Sequence, residues 1–359
     1  MEKKVKLGVV GLLRGLYVAS ELVNEEKMTI AAVCDKVPER VKAAYDKLTE
    51  LGVEGLKTYT DYDEMLNSDI DAVYVVTDAI CHVPFVLKAL EKGKHVLSEI
   101  PTIASLEEAK QLKAAVKNHP ELKYMAAENV NYWDNIRAWK KMREEGKFGT
   151  VIYAEGEYFH HDPSQPIDGE MEKGHWRESL PSIRYITHEM GPLLDILDDE
   201  CVSVSCMVPD VKCNPYKKGP ENGVAIFKTR KGAVIRILIF FGAYVGFAHN
   251  YRVIGTHGSI QTDSNVTLDE ARCYAAFSDL PGSIKKKEML PIGIATESKA
   301  TGGHGGADVK MMRDFIDCIV EDREPYLNVD RGIKMSLPGI IAHESSLQGG
   351  ALMEIPVIE

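Results

Sequence analysis

The 359-residue chain has little of the features that mark several classes of protein. Its seven cysteines are scattered, odd in number and without CxxC spacing, so we expect reduced thiols in a cytoplasmic protein, not a zinc site or a disulfide framework. No apolar run approaches the roughly 20 residues that span a bilayer. The chain has 43 Lys and Arg residues and 54 Asp and Glu residues, so it is acidic, and its basic residues form no stripe along the sequence. We therefore expect neither a nucleic-acid nor a membrane partner.

The remaining composition is that of a globular protein. Hydrophobic residues make up 45% of the chain and charged residues 27%. At roughly 100–200 residues per domain, the length predicts two domains.

Short apolar runs alternate with helical patterns in the first part of the chain. Strands separated by helices pair in parallel through right-handed crossovers, which predicts a doubly wound α/β sheet over residues 1–127. The predicted strands are Lys4–Val10, Thr29–Cys34, Asp71–Val76, His95–Ser98 and Tyr124–Ala127.

After Ala127 the pattern changes to alternation with period two. Strands of this kind, with only turns between them, predict a large, mostly antiparallel sheet in a C-terminal α/β domain over residues 128–359. The predicted strands are Val151–Tyr158, Val202–Val208, Gly223–Thr229, Ala233–Phe241 and Tyr251–Ile254, and a helix is predicted at Lys310–Val320.

A glycine-containing turn follows the first predicted strand and leads into a helix, which is the dinucleotide-binding arrangement. Asp35 ends the second strand and can accept from ribose hydroxyls, and its charge favours NAD because a 2′-phosphate would be repelled. Leu13 replaces the second glycine of G-x-G-x-x-G and should crowd the pyrophosphate, whereas Arg14 can compensate by contacting a phosphate. The alternative is that Gly11 and Gly15 merely tighten an α/β turn.

The segment from Val76 to Pro101 resembles the Gfo/Idh/MocA oxidoreductases. It holds Thr77-Asp78, then His82, then AL-x-x-GKHV-x-x-E-I-P, where the family has a threonine-proline turn, a histidine and AL-x-x-GKHV-x-x-EKP. The resemblance implies a Rossmann domain paired with an antiparallel α/β substrate domain. The family lysine beside the nicotinamide is Ile100 here, so its proton-transfer role cannot be carried over. The predicted cofactor residues are Gly11, Leu12, Leu13, Arg14, Asp35, Thr77, Asp78, His82, Glu99, Ile100 and Asn129.

Further motifs resemble one branch of this family, which contains NAD-dependent α-N-acetylgalactosaminidase-type glycosidases and enzymes that oxidise the C3 hydroxyl of glycosides. These motifs are Glu-Ile-Pro, AENVNY (127–132), GEYFH (156–160), Trp176-Arg177, THEMGP (187–192) and TGGHGGAD (301–308). In the glycosidases the histidine of Thr-His-x-x-Gly-Pro is catalytic, which implies His188 as the catalytic residue. The alternative for His188 is a core histidine at the start of a helix.

Polar and aromatic side chains in these motifs are candidates for binding a sugar. Alternation places Tyr158 and His160 on one face of their strand, and residues 160–182 read as a substrate-binding loop. The alternatives are that Asn131 caps a helix, that Trp176 pins the loop and that His304 lies in a flexible turn. The predicted substrate-binding residues are Asn131, Tyr132, Tyr158, His160, Trp176, Arg177 and His304.

No metal site is predicted. Asp162 follows His160 and His161, but adjacent ligands seldom all point inward. His249 and His257 flank a strand and receive no role.

Three functional hypotheses remain. The leading one is an NAD-dependent oxidoreductase that oxidises the C3 hydroxyl of a sugar or glycoside, with His188 as the base. The second is a redox-neutral glycosidase or lyase that works by oxidation, elimination and re-reduction, and the third is a non-catalytic NAD-binding sensor. The resemblance also implies a homo-oligomer, a dimer or tetramer, because one face of an open sheet needs cover.

Overall fold

The computed structural model describes residues 4–160, 176–213, 217–242, 246–263, 272–280, 282, 288–294 and 303–359. The chain divides into two compact units. The first contains Met1–Glu128, Thr301–Ile333 and Ile358–Glu359, and the second contains Asn129–Ala300 and Lys334–Val357. Residues 301–333 belong to the first unit, and not to the C-terminal domain predicted over residues 128–359. Contacts with distant residues accompany this placement, since Asp308 and Arg313 form ion pairs with Arg14 and Glu25, which no local sequence pattern contains.

The first unit is built on a six-stranded parallel sheet, which confirms the predicted doubly wound fold. The strands are β1 Val5–Val10, β2 Met28–Cys34, β3 Lys57–Tyr59, β4 Ala72–Val75, β5 His95–Ser98 and β6 Tyr124–Ala126, paired in the order β3-β2-β1-β4-β5-β6. The helices are α1 Arg14–Glu21, α2 Pro38–Glu50, α3 Tyr62–Leu66, α4 His82–Glu91 and α5 Leu106–Asn118.

Local signals explain where these helices begin. Pro38 occupies the first turn of α2, where its missing N–H costs nothing. Ser105 caps α5, because its hydroxyl accepts from the Glu108 N–H at 3.1 Å.

The second unit is built on a nine-stranded sheet within the described residues, and only its β10–β7 pair is parallel. This confirms the predicted mostly antiparallel sheet. Its strands are β7 Val151–Phe159, β8 Cys201–Met207, β9 Asn222–Thr229, β10 Val234–Phe240, β11 Ala248–Gly255, β12 Gly258–Thr262, β13 Arg272–Phe277, β14 Leu290–Gly293 and β15 Met353–Glu354. Their order is β14-β13-β12-β11-β7-β10-β9-β8-β15.

The remaining helices are α6 Asp134–Glu144, α7 Trp176–Ser179, α8 Thr187–Leu197, α9 Ala307–Val320 and α10 Val329–Leu347. Every residue of α8 is buried, including Thr187, His188 and Glu189. The helix lies against β7, where a Cβ on Gly156 would come within 2.7 Å of the Glu189 Cβ. Glycine at this position therefore allows the polar start of α8 to pack directly on the sheet.

No helix among the described residues is long and apolar enough to cross a membrane.

Candidate functional site

The turn between β1 and α1 depends on glycine. Gly11 has φ +91°, and a Cβ there would lie 2.2 Å from the Val76 carbonyl oxygen. A Cβ on Gly15 would lie 2.9 Å from Val9 Cγ1, so the helix lies close against the strand. The chain thus forms the close turn and helix start that cradle a pyrophosphate in dinucleotide-binding folds.

Asp35 holds this turn. Its Oδ2 accepts the Leu12 N–H and its Oδ1 accepts the Val37 N–H, both at 2.9 Å. Each carboxylate oxygen has a second lone pair, so the buried Asp35 side chain can still accept from a ribose hydroxyl.

Leu13 and Arg14 differ in their surroundings. Leu13 is 45% exposed, so its side chain points out of the core of its unit. Arg14 donates from Nε to Glu99 Oε1 and from Nη2 to Asp308 Oδ1, each at 2.7 Å. Two carboxylates therefore hold the guanidinium through Nε and Nη2, and its contact with a phosphate stays a prediction.

Glu99 lies at the centre of this network. Tyr74 donates its hydroxyl to Glu99 Oε1 at 2.6 Å. Burial raises the pKa of Glu99, but the Arg14 charge and the hydrogen bonds from Tyr74 and Arg14 outweigh burial and hold that pKa below its usual value. Burial would lower the pKa of Arg14, yet Glu99, Tyr74 and Asp308 together raise it well above its usual value. Glu99 is thus a structural anion here.

The residues around Glu99 complete the predicted cofactor segment. Ile100 is buried and precedes a cis peptide bond to Pro101, and its side chain has no proton to transfer. His82 is buried with Nδ1 at 3.0 Å from the Pro101 carbonyl and Nε2 at 3.0 Å from the Thr77 carbonyl. The Thr77 hydroxyl oxygen is buried and has no hydrogen-bond partner within the described parts of the chain, whereas Asp78 is exposed.

His304 belongs to the first unit and joins the same network. Its Nδ1 lies 3.0 Å from Asp308 Oδ2, while Asp308 Oδ1 accepts from Arg14. His304 has φ +53°, which is an uncommon backbone conformation for a residue other than glycine. Thr301 and Gly302 of the predicted motif lie outside the described residues.

The first unit fits a dinucleotide. The Gly11 turn can receive a pyrophosphate, the Asp35 carboxylate can accept from a ribose hydroxyl, and the Thr77 hydroxyl is open to a hydrogen bond from such a cofactor. No group of three or more His, Cys, Asp or Glu residues that could hold a metal ion occurs in the described ranges, and His161 and Asp162 lie outside them.

In the second unit, His188 lies at the start of α8 among aromatic rings. Its ring centroid is 5.5 Å from those of Tyr158 and Tyr185 and 5.7 Å from that of His249, all edge-on. The His188 carbonyl accepts from the Tyr251 hydroxyl at 2.7 Å. These residues form what we call the aromatic cluster: Tyr158, His160, Tyr185, His188, Phe241, Phe247 and His249.

Tyr158 and His160 share a face of their strand, as the alternation predicts. Their ring centroids are 5.4 Å apart, and both contact Phe241. Phe247, which is half exposed, lies 5.3 Å from His160. The open edge of the cluster therefore carries apolar surface beside a histidine.

Trp176 and Arg177 lie close to Tyr185. The Arg177 guanidinium stands 4.9 Å from the Trp176 ring and 5.4 Å from the Tyr185 ring. The buried Lys217 donates to the Arg177 carbonyl at 2.7 Å. Of the predicted loop 160–182, residues 161–175 lie outside the described residues.

The 3-10 helix Asn129–Tyr132 packs against α8. Asn131 is 1% exposed, and neither atom of its amide has a hydrogen-bond partner in the described part of the chain. It does not cap α6, which begins at Asp134 with Trp133 at the cap position and no side-chain cap. Tyr132 is buried beneath Arg137, whose guanidinium is 5.2 Å from the Tyr132 ring. Asn129, at the start of the same 3-10 helix, is also buried.

Two family models match the chain. The oxidoreductase family, NAD-binding Rossmann fold, matches residues 5–127, and the GFO/IDH/MocA C-terminal domain matches residues 136–261. The chain belongs to the Gfo/Idh/MocA family. It is an NAD-binding oxidoreductase, and its first unit is the NAD-binding domain.

Relatives of this Gfo/Idh/MocA protein include glycosyl hydrolase family 109 proteins. The one from Porphyromonas gingivalis is 26% identical and covers 88% of this chain and 76% of its own. The one from Solibacter usitatus is also 26% identical and covers 98% of this chain and 87% of its own.

Solved structures share the fold. A levoglucosan dehydrogenase in complex with NADH and levoglucosan has a TM-score of 0.84 at 19% identity, covering 99% of this chain and 100% of that one. Myo-inositol 2-dehydrogenase from Lactobacillus plantarum has a TM-score of 0.77 at 22% identity, with the same coverage.

The sequence of this Gfo/Idh/MocA protein did not point to four residues of the aromatic cluster, which are Tyr185, Phe241, Phe247 and His249. It also gave no separate role to Glu189, which lies within the motif THEMGP and pairs with His249. Period two could have found His249, because His249, Tyr251 and Val253 are the buried residues of β11 and share one face. Glu189 carries no such signal, since α8 is buried on every side.

Proposed function

We propose that this oxidoreductase removes hydride from a secondary alcohol of a sugar or glycoside, at C3, with His188 as the base for the hydroxyl proton. The observation that carries the proposal is the placement of His188, with its ring edge-on to Tyr158, Tyr185 and His249 in a buried polar helix start. Histidine has an unperturbed pKa of about 6.5, which suits proton transfer near neutrality.

A carbohydrate substrate is supported by the polar and aromatic groups of the second unit. The buried Asn131 amide offers a donor and an acceptor to hydroxyl groups. Tyr158, Trp176 and Arg177 offer ring faces and charged donors to a sugar. The names of the relatives, glycosyl hydrolases, and of the structural neighbours, a sugar and a polyol dehydrogenase, agree with this class.

Residues of each unit have a role in the proposed reaction. Bound NAD⁺ would accept the hydride, held through the Gly11 turn, Asp35 and the Thr77 hydroxyl. His188 takes the O3 proton as the carbonyl forms. The surrounding rings exclude water, which strengthens the charge interactions of His188.

The relatives' names favour a second candidate, a redox-neutral glycosidase or lyase. A ketone at C3 acidifies the C2 proton, and loss of that proton expels the group at C1. Re-reduction would then leave no net NADH, so the two candidates differ in stoichiometry.

We also propose a homo-oligomer, a dimer or tetramer. Ile226 and Met207 share one face of the nine-stranded sheet, because Ile226 pairs with Ser205 and Val224 with Met207. Both side chains are more than half exposed, so a second copy would bury apolar surface there. Light scattering of the purified protein measures the mass.

A glycoside panel tests the function. Glucosides, galactosides and N-acetylated sugars are incubated with NAD⁺ while absorbance follows NADH and mass spectrometry follows loss of two hydrogens or of the aglycone. His188→Ala should lower turnover by at least about 100-fold. His257→Ala, an exposed histidine of the same unit, should not lower it. Equal turnover in both variants would remove His188 from the mechanism.

A further inference from the structure

A buried carboxylate–imidazole pair lies beside His188. Glu189 Oε1 is 2.7 Å from His249 Nδ1, and both side chains are almost completely shielded from solvent. Glu189 follows His188 on α8, and His249 comes from β11, so the pair joins two elements of the second unit.

The pairing sets the chemistry of His249. A carboxylate accepts only, so Nδ1 carries the proton and Nε2 carries the basic lone pair. The same carboxylate stabilises the imidazolium that forms when Nε2 takes a proton. This is the relation of base and orienting acid found in catalytic triads.

The ring of His249 is also fixed in position. It stacks on Tyr158 with centroids 4.0 Å apart and an interplanar angle of 24°. Trp133 meets it edge-on at 5.3 Å, and His188 lies edge-on at 5.7 Å. Two histidines with different partners therefore stand in one cluster, which suits two proton transfers at neighbouring atoms.

We propose that His249 is a second proton-transfer residue, acting at the carbon next to the oxidised hydroxyl, with Glu189 as its positioning residue. This inference rests on the proposed function for the origin of the ketone. The C2–H bond breaks, its electron pair moves into the enolate of the C3 ketone, and the proton passes to His249 Nε2. Return of a proton from His249 restores the ketone, so the step is redox-neutral and needs no further reactant.

Deuterium exchange on a supplied ketone isolates this step from oxidation. The protein, with NAD⁺, is given a methyl 3-keto-glucoside in D₂O, and NMR follows deuterium at C2 and at C4 against a protein-free blank. His249→Ala should slow C2 exchange by about 100-fold, and added imidazole should restore it. Glu189→Gln should slow it by about 10-fold with unchanged KM for the ketone. His257→Ala, which changes an exposed histidine in the turn between β11 and β12, is the control and should retain exchange.

His249→Gln provides a second variant that keeps a hydrogen-bond donor for Glu189 and lacks a basic nitrogen, and circular dichroism verifies folding of each protein. Exchange at the wild-type rate in folded His249→Gln overturns the proposal, as does a wild type that exchanges no faster than the blank. A wild type that exchanges the supplied ketone through His249 but forms no NADH from any glycoside would refute the proposed oxidation alone. NADH formation with exchange that is independent of His249 would refute only the present inference.

Discussion

Arg14 donates from Nη2 to Asp308 Oδ1 at 2.7 Å, which joins the first helix to a residue 294 positions later. The same guanidinium binds Glu99, and the other oxygen of Asp308 faces His304. One cation therefore links two buried carboxylates that are far apart in the sequence. The network forms in the NAD-binding unit directly after the Gly11 turn.

Removing Arg14 should destabilise the protein strongly. Arg14→Met would leave Asp308 and Glu99 buried without a cation, at an expected cost of about 3 kcal/mol in the free energy of unfolding. Lys88→Met, which breaks the exposed pair with Asp63, should cost less than about 1 kcal/mol. Urea unfolding at pH 7 measures both, and equal losses would show that the Arg14 network adds no more than a surface pair.

The Glu99 carboxylate should make stability depend on pH. Its pKa is depressed in the folded state, despite burial, by Arg14 and by the hydrogen bonds from Tyr74 and Arg14. Its contribution is thus present above its usual pKa of 4.5 and is lost as pH falls through the lower folded value. The stability difference between wild type and Glu99→Gln should be largest near pH 7 and shrink below about pH 4. Thermal unfolding from pH 3 to 7 measures it; a difference that grows as pH falls would contradict the assignment.

Gly11 can be tested against a glycine of nearly the same conformation. Gly11→Ala should cost about 3 kcal/mol, because the φ of +91° is unfavourable and the new Cβ would lie 2.2 Å from the Val76 carbonyl oxygen. Gly52 has φ +94° with nothing within 4 Å of the added Cβ, so Gly52→Ala should cost only about 1 kcal/mol. Calorimetric titration should also show weaker NAD binding for Gly11→Ala alone. Equal losses of stability in the two variants would mean that the turn at Gly11 can relax to accept a Cβ.

The parallel sheet could be predicted because its strands are buried and short. Each predicted strand of the NAD-binding unit ends within one residue of the observed one, whereas the exposed edge strand β3 has no apolar run and was not predicted. Helix α10 was missed because Pro338 lies inside it, and proline usually marks a helix end. The membership of residues 301–333 in the first unit rests on contacts with residues far away in sequence, among them the Arg14–Asp308 and Glu25–Arg313 ion pairs, which no local pattern contains.

Those parts of the candidate site that lie in a sequence motif or in a strand with period-two alternation could be predicted. Gly11 and Asp35 follow from the strand–turn–helix pattern, and the shared face of Tyr158 and His160 follows from period two. The partners of Arg14 and His249 do not, because each is a side chain from a distant element. The sequence therefore indicates which side chains can take part in binding or catalysis. It does not indicate which carboxylate forms a hydrogen bond with each of them.

The Asn131 amide should lower the stability of the protein and contribute to substrate binding. Since both atoms of its buried amide have no partner in the described part of the chain, Asn131→Leu should raise the free energy of unfolding by about 1 kcal/mol. If the amide binds substrate hydroxyls, KM for the substrate should rise at least about 10-fold in the same variant. The control is Asn250→Leu, which removes a hydrogen bond to Glu157 and should lower stability by about 1 kcal/mol. A loss of stability in Asn131→Leu with unchanged KM would indicate a structural asparagine.

Lys217 should destabilise the protein at neutral pH. Burial, reinforced by the Arg177 charge and opposed by Glu221, lowers its pKa from 10.5 to about 8. The charged form is therefore penalised in the folded state below about pH 8, and the penalty disappears as pH rises towards 10.5. Lys217→Met should raise the free energy of unfolding at pH 7 by about 2 kcal/mol, after the lost hydrogen bond to the Arg177 carbonyl is subtracted. This gain in the free energy of unfolding should vanish near pH 10.

Lys218→Met, which removes an exposed partner of Glu178, should change stability by less than about 1 kcal/mol at either pH. Urea unfolding at pH 7 and pH 10 decides the matter, because a gain that persists at pH 10 would come from apolar packing and not from the buried charge.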